Sequence, residues 1–190
     1  MAEPRIVVPQ QPRPAWYARL ILALQRRKYG RELEPARLWS KMPHTFLMLT
    51  LLYRALDRTA SPIDAGLRAL IQVRVSQINW CAFCVDLNGA AALERFVAPE
   101  KLAALGEFES SPLYVERERA ALAYAEGMTD PAHGVGAALF ERLRGQFTEQ
   151  AILELTALIA FQNLSSKFNA ALAVPAQGFC ATAAPVAREH

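Results

Sequence analysis

Two cysteines three residues apart, Cys81 and Cys84, are where this chain concentrates its chemistry. On a helix, positions i and i+3 share a face about one turn apart. A small rotamer change then brings the two sulfurs to bonding distance. The unpaired amides of a helix N-terminus favour a thiolate over a thiol, and the thiolate is the form that attacks peroxides and disulfides. A second cysteine three residues away converts the resulting sulfenic acid into a disulfide. The competing reading makes both residues small apolar members of a core. A zinc site is disfavoured, because a structural zinc takes four ligands. The chain has no second Cys-x-x-Cys and no His-x-x-x-His, and His44, His133 and His190 are scattered. A thioredoxin-type site needs a βαβ pattern, which is absent. The expectation is therefore no metal and no cofactor.

The elements that must position this pair read as helices. Ala15 to Lys28 carries Trp16, Leu20, Ile21, Leu22 and Leu24 at near-helical spacing, with Gly30 as its stop. Pro43 precedes a helix from about 44 to 58, with Phe46, Leu47, Leu49, Leu51, Leu52 and Leu56 expected to pack inward. Ser61-Pro62-Ile63-Asp64 combines a cap, a proline at the first helical position and an acid three residues on. The helix it opens carries Ile63, Leu67, Leu70, Ile71, Val75 and Ile78 on one face. Asn79-Trp80 interrupts that run, and a new helix starts near Cys81 and reaches about Val97. Further helices are expected over 99–105, from the Ser111-Pro112 signature to about 126, over 134–143, and from the Thr148 cap to about 173. No alternating strand pattern is present, so the fold class is all-α.

Composition agrees. The chain is 190 residues long and 53% apolar, with only nine glycines, which suits one helix-rich domain. The expected organisation is an extended proline-rich arm over 1–14, a single helical domain over 15–178 and a tail over 179–190. The net charge of +3 is too mild to imply nucleic acid. Arg26, Arg27, Lys28, Arg31, Arg37 and Lys41 cluster, and read as a solvated basic face. No apolar run reaches the roughly 18 residues of a membrane span; the longest candidate, 46–56, is broken by Thr50 and Arg54. One close cysteine pair plus a distant Cys180 suggests a reducing compartment, hence the cytoplasm. Cys180 itself reads as a buried, inert thiol.

The stretch from Leu67 to Asn88, LRALIQVRVSQINWCAFCVDLN, resembles the core motif of the carboxymuconolactone decarboxylase family, in its alkylhydroperoxidase D-like branch. The downstream LTALIAFQNLS of residues 155–165, followed by Val174-Pro175, is similar to that family too, and the likeness covers about residues 40–178. The resemblance implies an alkylhydroperoxidase D-like helical bundle with the Cys-x-x-Cys at a helix N-terminus. It also implies assembly into trimers or hexamers, and reduction of small organic hydroperoxides at the expense of a thiol reductant. By the same carry-over, Cys84 attacks the peroxide and Cys81 resolves.

Peroxidase members of the family place a glutamate twelve residues before the first cysteine and a histidine four after the second, as a proton relay. This chain has Ala69 and Asn88 at those positions. Asn88 can hydrogen-bond but carries no titratable proton near neutrality. General acid–base help is typically worth about 10²–10⁴-fold in rate, so a weakened or specialised peroxidase is expected. Gln72, one turn after Ala69, and Ser76 beyond it offer hydrogen bonds in its place; His44 would reach the site only through the fold. Asp86 points away from Cys84, and Asn163, Ser166 and Asn169 read as polar helix-packing contacts. Two other readings stand beside the peroxidase. One is a decarboxylase-like acid–base enzyme acting on a small organic acid or lactone. The other is a non-catalytic oligomeric binding module.

Overall fold

The computed structural model describes residues 15–180 together with Arg5. The rest of the expected arm, and residues 181–190 of the expected tail, lie outside the described residues. Every regular element among the described residues is helical. In chain order they are α1 (Trp16–Tyr29), α2 (Glu34–Trp39), α3 (Pro43–Leu56), α4 (Ala65–Ile78), α5 (Ala82–Glu94), α6 (Pro99–Ala103) with a 3₁₀ turn (Ala104–Glu107), α7 (Glu116–Thr129), α8 (Ala137–Arg144) and α9 (Glu149–Ala171). None is long and apolar enough to cross a membrane.

α4 is the central element. Its residues from Leu67 to Val73 are all buried, as a helix packed on every side requires. It lies against α5, α7 and α9. The main core joins Leu70, Ile71 and Val73 of α4 to Leu122 of α7 and Leu155 and Ile159 of α9. A second, smaller core sits at the other end. Ile21 and Leu22 of α1, Ala36 of α2 and Phe46 of α3 enclose Cys81, Phe83 and Cys84.

Several element starts differ from the sequence expectation, and local hydrogen bonding gives the reason. α4 is capped by the Asp64 carboxylate, which accepts from Gly66 N at 2.8 Å and Leu67 N at 3.1 Å. Ser61 instead closes a turn by accepting from Ile63 N. The Ser111-Pro112 signature likewise makes a turn, and α7 starts only at Glu116, where Glu118 accepts from Val115 N at 3.1 Å. In both places the polar residue bonds locally before the helix can begin. Thr148 does cap α9, accepting from Ala151 N at 3.3 Å. Gly30 ends α1 in the left-handed conformation that glycine tolerates best.

The largest correction falls on α3. Its apolar residues were expected to pack inward, yet Phe46 alone is buried, while Met48, Leu51 and Leu52 are exposed. At its C-terminal end the helix is pinned by charge. Asp57 accepts from Arg68 Nε at 3.0 Å and from Arg95 Nη2, joining the ends of α3, α4 and α5. The basic cluster near α1 and α2 is largely engaged at the surface: Arg26 pairs with Glu32 and Arg37 with Glu34.

Candidate functional site

The cysteine pair owes its position to how α4 stops. Trp80 N donates to Gln77 O at 3.1 Å and Cys81 N to Ser76 O at 3.0 Å, with Trp80 in the left-handed region (φ 56°). This is the Schellman termination, with a tryptophan where glycine is usual. It turns the chain so that Cys81 becomes the N-cap residue of α5. Cys81 Sγ accepts from Cys84 N at 3.2 Å, doing the work that a serine hydroxyl does at other caps. Cys84 lies in the first turn, and the two sulfurs are joined in a disulfide, with the α-carbons 5.2 Å apart.

Both cysteines are buried, yet they differ in what they face. Cys84 lines a cavity of about 710 Å³; Cys81 is not on its wall. The cavity is walled mainly by apolar side chains of α1, α3, α5 and α9, among them Phe46, Phe83 and Phe161. Among the described residues, no aspartate, glutamate or histidine lines it.

Asn169 of α9 is 1% exposed and donates through Nδ2 to Cys84 Sγ at 3.2 Å. Its Oδ1 is buried and has no hydrogen-bond partner. The sulfur of a disulfide carries no hydrogen, so only the orientation that turns the NH₂ toward it makes a bond.

Behind the pair lies a cluster of amides around Ser76. Ser76 Oγ accepts from Gln162 Nε2 at 2.9 Å and from Asn88 Nδ2 at 3.3 Å, and donates to Gln72 O. Asn88 and Gln162 both reach the cavity wall. Gln72 is buried, and its Nε2 has no partner. Ala69 faces the main core instead. His44 is exposed at the start of α3 beside Tyr17, with ring centroids 6.0 Å apart, and is not part of the cavity wall. The structure thus brings Cys81, Cys84, Asn88 and Gln72 into one neighbourhood and leaves Ala69 and His44 outside it.

Asn163 and Ser166 hold α9 to the end of α4 through Asn79 Nδ2, at 2.9 and 2.8 Å. They are packing contacts, as expected, whereas Asn169 and Gln162 belong to the site. Spacing marks the face but not the role: Gln162, Ser166 and Asn169 fall at i, i+4 and i+7 and are the buried polar positions of α9, whereas Asn163 lies off that line and is only half-buried.

Asp86, two residues past Cys84, is buried and does point away from it. Its carboxylate accepts from the backbone amides of Gln177, Phe179 and Cys180, each at 2.7 Å. One buried acid therefore anchors the chain that follows α9. Cys180 is half-buried and packs against the main core.

A sequence profile of the Carboxymuconolactone decarboxylase family matches residues 43–127. YnjA of Escherichia coli (strain K12), an uncharacterized protein, is 42% identical over 157 residues, 83% of this chain and 86% of that one. The chain belongs to the carboxymuconolactone decarboxylase family. Among solved structures, the alkylhydroperoxidase AhpD core of an uncharacterized peroxidase-related protein from Ralstonia eutropha JMP134 superposes with a TM-score of 0.81. That pair is 24% identical and covers 93% of this chain and 94% of the other. A variant of the debrominase Bmp8 in complex with 2,3,4-tribromopyrrole gives a TM-score of 0.79 at 24% identity, over 92% of each chain. At these identities the structures establish the fold alone. It is the alkylhydroperoxidase D-like helical bundle, all-α, with the Cys-x-x-Cys at a helix N-terminus.

Proposed function

We propose that this chain is a thiol oxidoreductase that reduces organic hydroperoxides through a Cys84/Cys81 disulfide cycle. The observation that carries the reading is the asymmetry of the pair: Cys84 faces the cavity, while Cys81 sits behind it, already bonded to it. The Cys84 thiolate attacks the terminal oxygen of R–O–O–H, the O–O bond breaks, and the alkoxide leaves and takes a proton from water. Cys84 is then a sulfenic acid. The Cys81 thiolate attacks its sulfur, the S–S bond forms, and hydroxide departs as water after protonation. Two electrons have passed from the cysteines to the peroxide, and an external thiol reductant returns them.

Ala69 and Asn88 stand where the peroxidases that the sequence resembles carry a proton relay, and the polar groups left near the pair are the amides of Asn88, Gln72, Gln162 and Asn169. They orient groups and stabilise charge but shuttle no protons, so the reading is of a slow or specialised peroxidase. Among the described residues no carboxylate or imidazole stands on the cavity wall, which speaks against the acid–base alternative, since that needs a proton acceptor beside the substrate. The reading also places the protein in a reducing compartment such as the cytoplasm, working as a homo-oligomer. The exposed leucines of α3 support association with further copies of this chain.

The test is to reduce the protein, add cumene hydroperoxide and count free thiols over time. Two thiols should disappear from the natural protein. The Cys81→Ser variant should instead trap a sulfenic acid on Cys84 that dimedone labels. Unchanged thiols in the natural protein would overturn the reading.

A further inference from the structure

The cavity has a direction and a charge. Asn169, at the Cys84 end, and Phe161, further along the wall, are eight residues apart on α9, a rise of about 12 Å. The Tyr53 ring stacks on Phe161 with centroids 5.8 Å apart, and Arg54 follows it on α3. The reactive sulfur and Arg54 thus lie towards opposite ends of one apolar trough.

The charges on that trough are all of one sign. Lys28 and Arg54 line it, and no acid among the described residues does. Elsewhere the basic residues are commonly matched: Arg58 with Glu154, Arg74 with Glu126, Lys101 with Glu118, Arg142 with Glu109. Arg54 makes no hydrogen bond or ion pair with a described residue. Lys28 lies over the Tyr29 ring, 5.0 Å from its centroid, and meets no carboxylate among the described residues. Tyr29, next to Lys28, lies close enough to Tyr53 to act on its charge, so the ends of α1 and α3 that carry Lys28 and Arg54 come together, and an apolar channel with cations at that end selects for apolar length with a negative end.

We infer that the site takes an anionic amphiphile: an organic hydroperoxide whose carboxylate sits at Arg54 and Lys28 while its peroxide group meets Cys84, with about 12 Å of apolar frame between. This rests on the proposed peroxidase reading for its chemistry, but the binding part stands apart from it. The electron balance is that of the cycle above; the carboxylate is a handle and does not react. Both cations are exposed, so each contributes only what a solvent-screened pair does.

The experiment has two arms. In the first, reduced protein is mixed with linoleic acid hydroperoxide or its methyl ester, below the concentrations at which either forms micelles, and thiol loss is followed. The acid should react about tenfold faster than the ester. The ratio should fall towards one in the Lys28→Met, Arg54→Met double variant and at high salt. In the second arm, dodecanoate and methyl dodecanoate, which cannot oxidise a thiol, are titrated calorimetrically, and the same preference and the same loss are expected. Equal behaviour of acid and ester in both arms would overturn the inference and leave the peroxidase reading standing. A preference that survives the double variant would also overturn it. Carboxylate-selective binding that the double variant abolishes, without thiol loss from any hydroperoxide, would uphold the inference and overturn the peroxidase reading.

Discussion

Asn169 donates to Cys84 Sγ at 3.2 Å from a position 85 residues away in the chain, and its own carbonyl oxygen is buried without a partner. A hydrogen bond to a charged sulfur is worth more than one to a neutral sulfur. The contact therefore favours the thiolate in the reduced protein.

The first prediction concerns this amide. Asn169→Leu should slow Cys84 oxidation about tenfold at neutral pH, from loss of one charge-assisted bond. It should also move the pH midpoint of iodoacetamide alkylation at Cys84 upward. An unmoved midpoint with a slower rate would show that the residue acts on packing alone. Asn169→Gln, which keeps the amide, should recover part of the rate.

A second prediction concerns Asp86. Asp86→Ala would leave three backbone amides of residues 177–180 without their acceptor. An unsatisfied buried donor costs about 1–3 kcal/mol, and these three are half-buried and can turn partly to water, so the variant should lose about 1–3 kcal/mol in urea unfolding. Faster hydrogen exchange at the Phe179 and Cys180 amides should accompany it. Unchanged exchange would mean that other contacts hold that segment.

The third prediction follows from the Asp57 ion cluster. Burial pushes this carboxyl up, but the hydrogen bond and charge of Arg95, with a further bond from Arg68, outweigh it and hold it below the usual carboxylate range. A lowered folded value means that the stabilisation is full above the ordinary value of about 3.9 and is lost as pH falls through the folded one. Asp57→Asn leaves the buried Arg68 guanidinium without its counter-charge and should cost about 3–5 kcal/mol at pH 7. The difference between the two proteins should close in acid, measured by urea unfolding at a series of pH values. A constant gap down to strongly acidic pH would refute the ionic account.

The fourth prediction addresses α3. Leu51 and Leu52 are about half exposed, so exchanging both for glutamate should cost the isolated chain little. If a second copy covers them, light scattering should show the natural protein as an oligomer and the Leu51→Glu, Leu52→Glu variant as a smaller species. A natural protein that runs as a monomer would refute this.

Much of this molecule is written locally. The Gly30 stop, the Asn79-Trp80 break, Cys81 at a helix start and the Thr148 cap depend on a few neighbouring residues, and the sequence expectation matches the structure at each. Where local polar residues had two uses, pattern reading chose the wrong one: Ser61 and Ser111 make turns, and Asp64 makes the cap. The short α2 carries a start signal, Glu34-Pro35, but at six residues it has no apolar periodicity to go with it. Burial of α3 was misjudged because apolar content does not say whether a helix meets its own chain or another. The contact from Asn169 to Cys84 joins distant parts of the chain, so spacing could flag the polar stripe on α9 but not its target.

Trp80 turns the chain out of α4 with its indole about half exposed, one residue before the disulfide. A disulfide accepts an electron from an excited indole at short range, and two thiols do so far less well. Reducing the Cys81–Cys84 bond should therefore raise the emission of Trp80, and the same measurement on a Trp80→Phe variant shows how much of the change belongs to that ring.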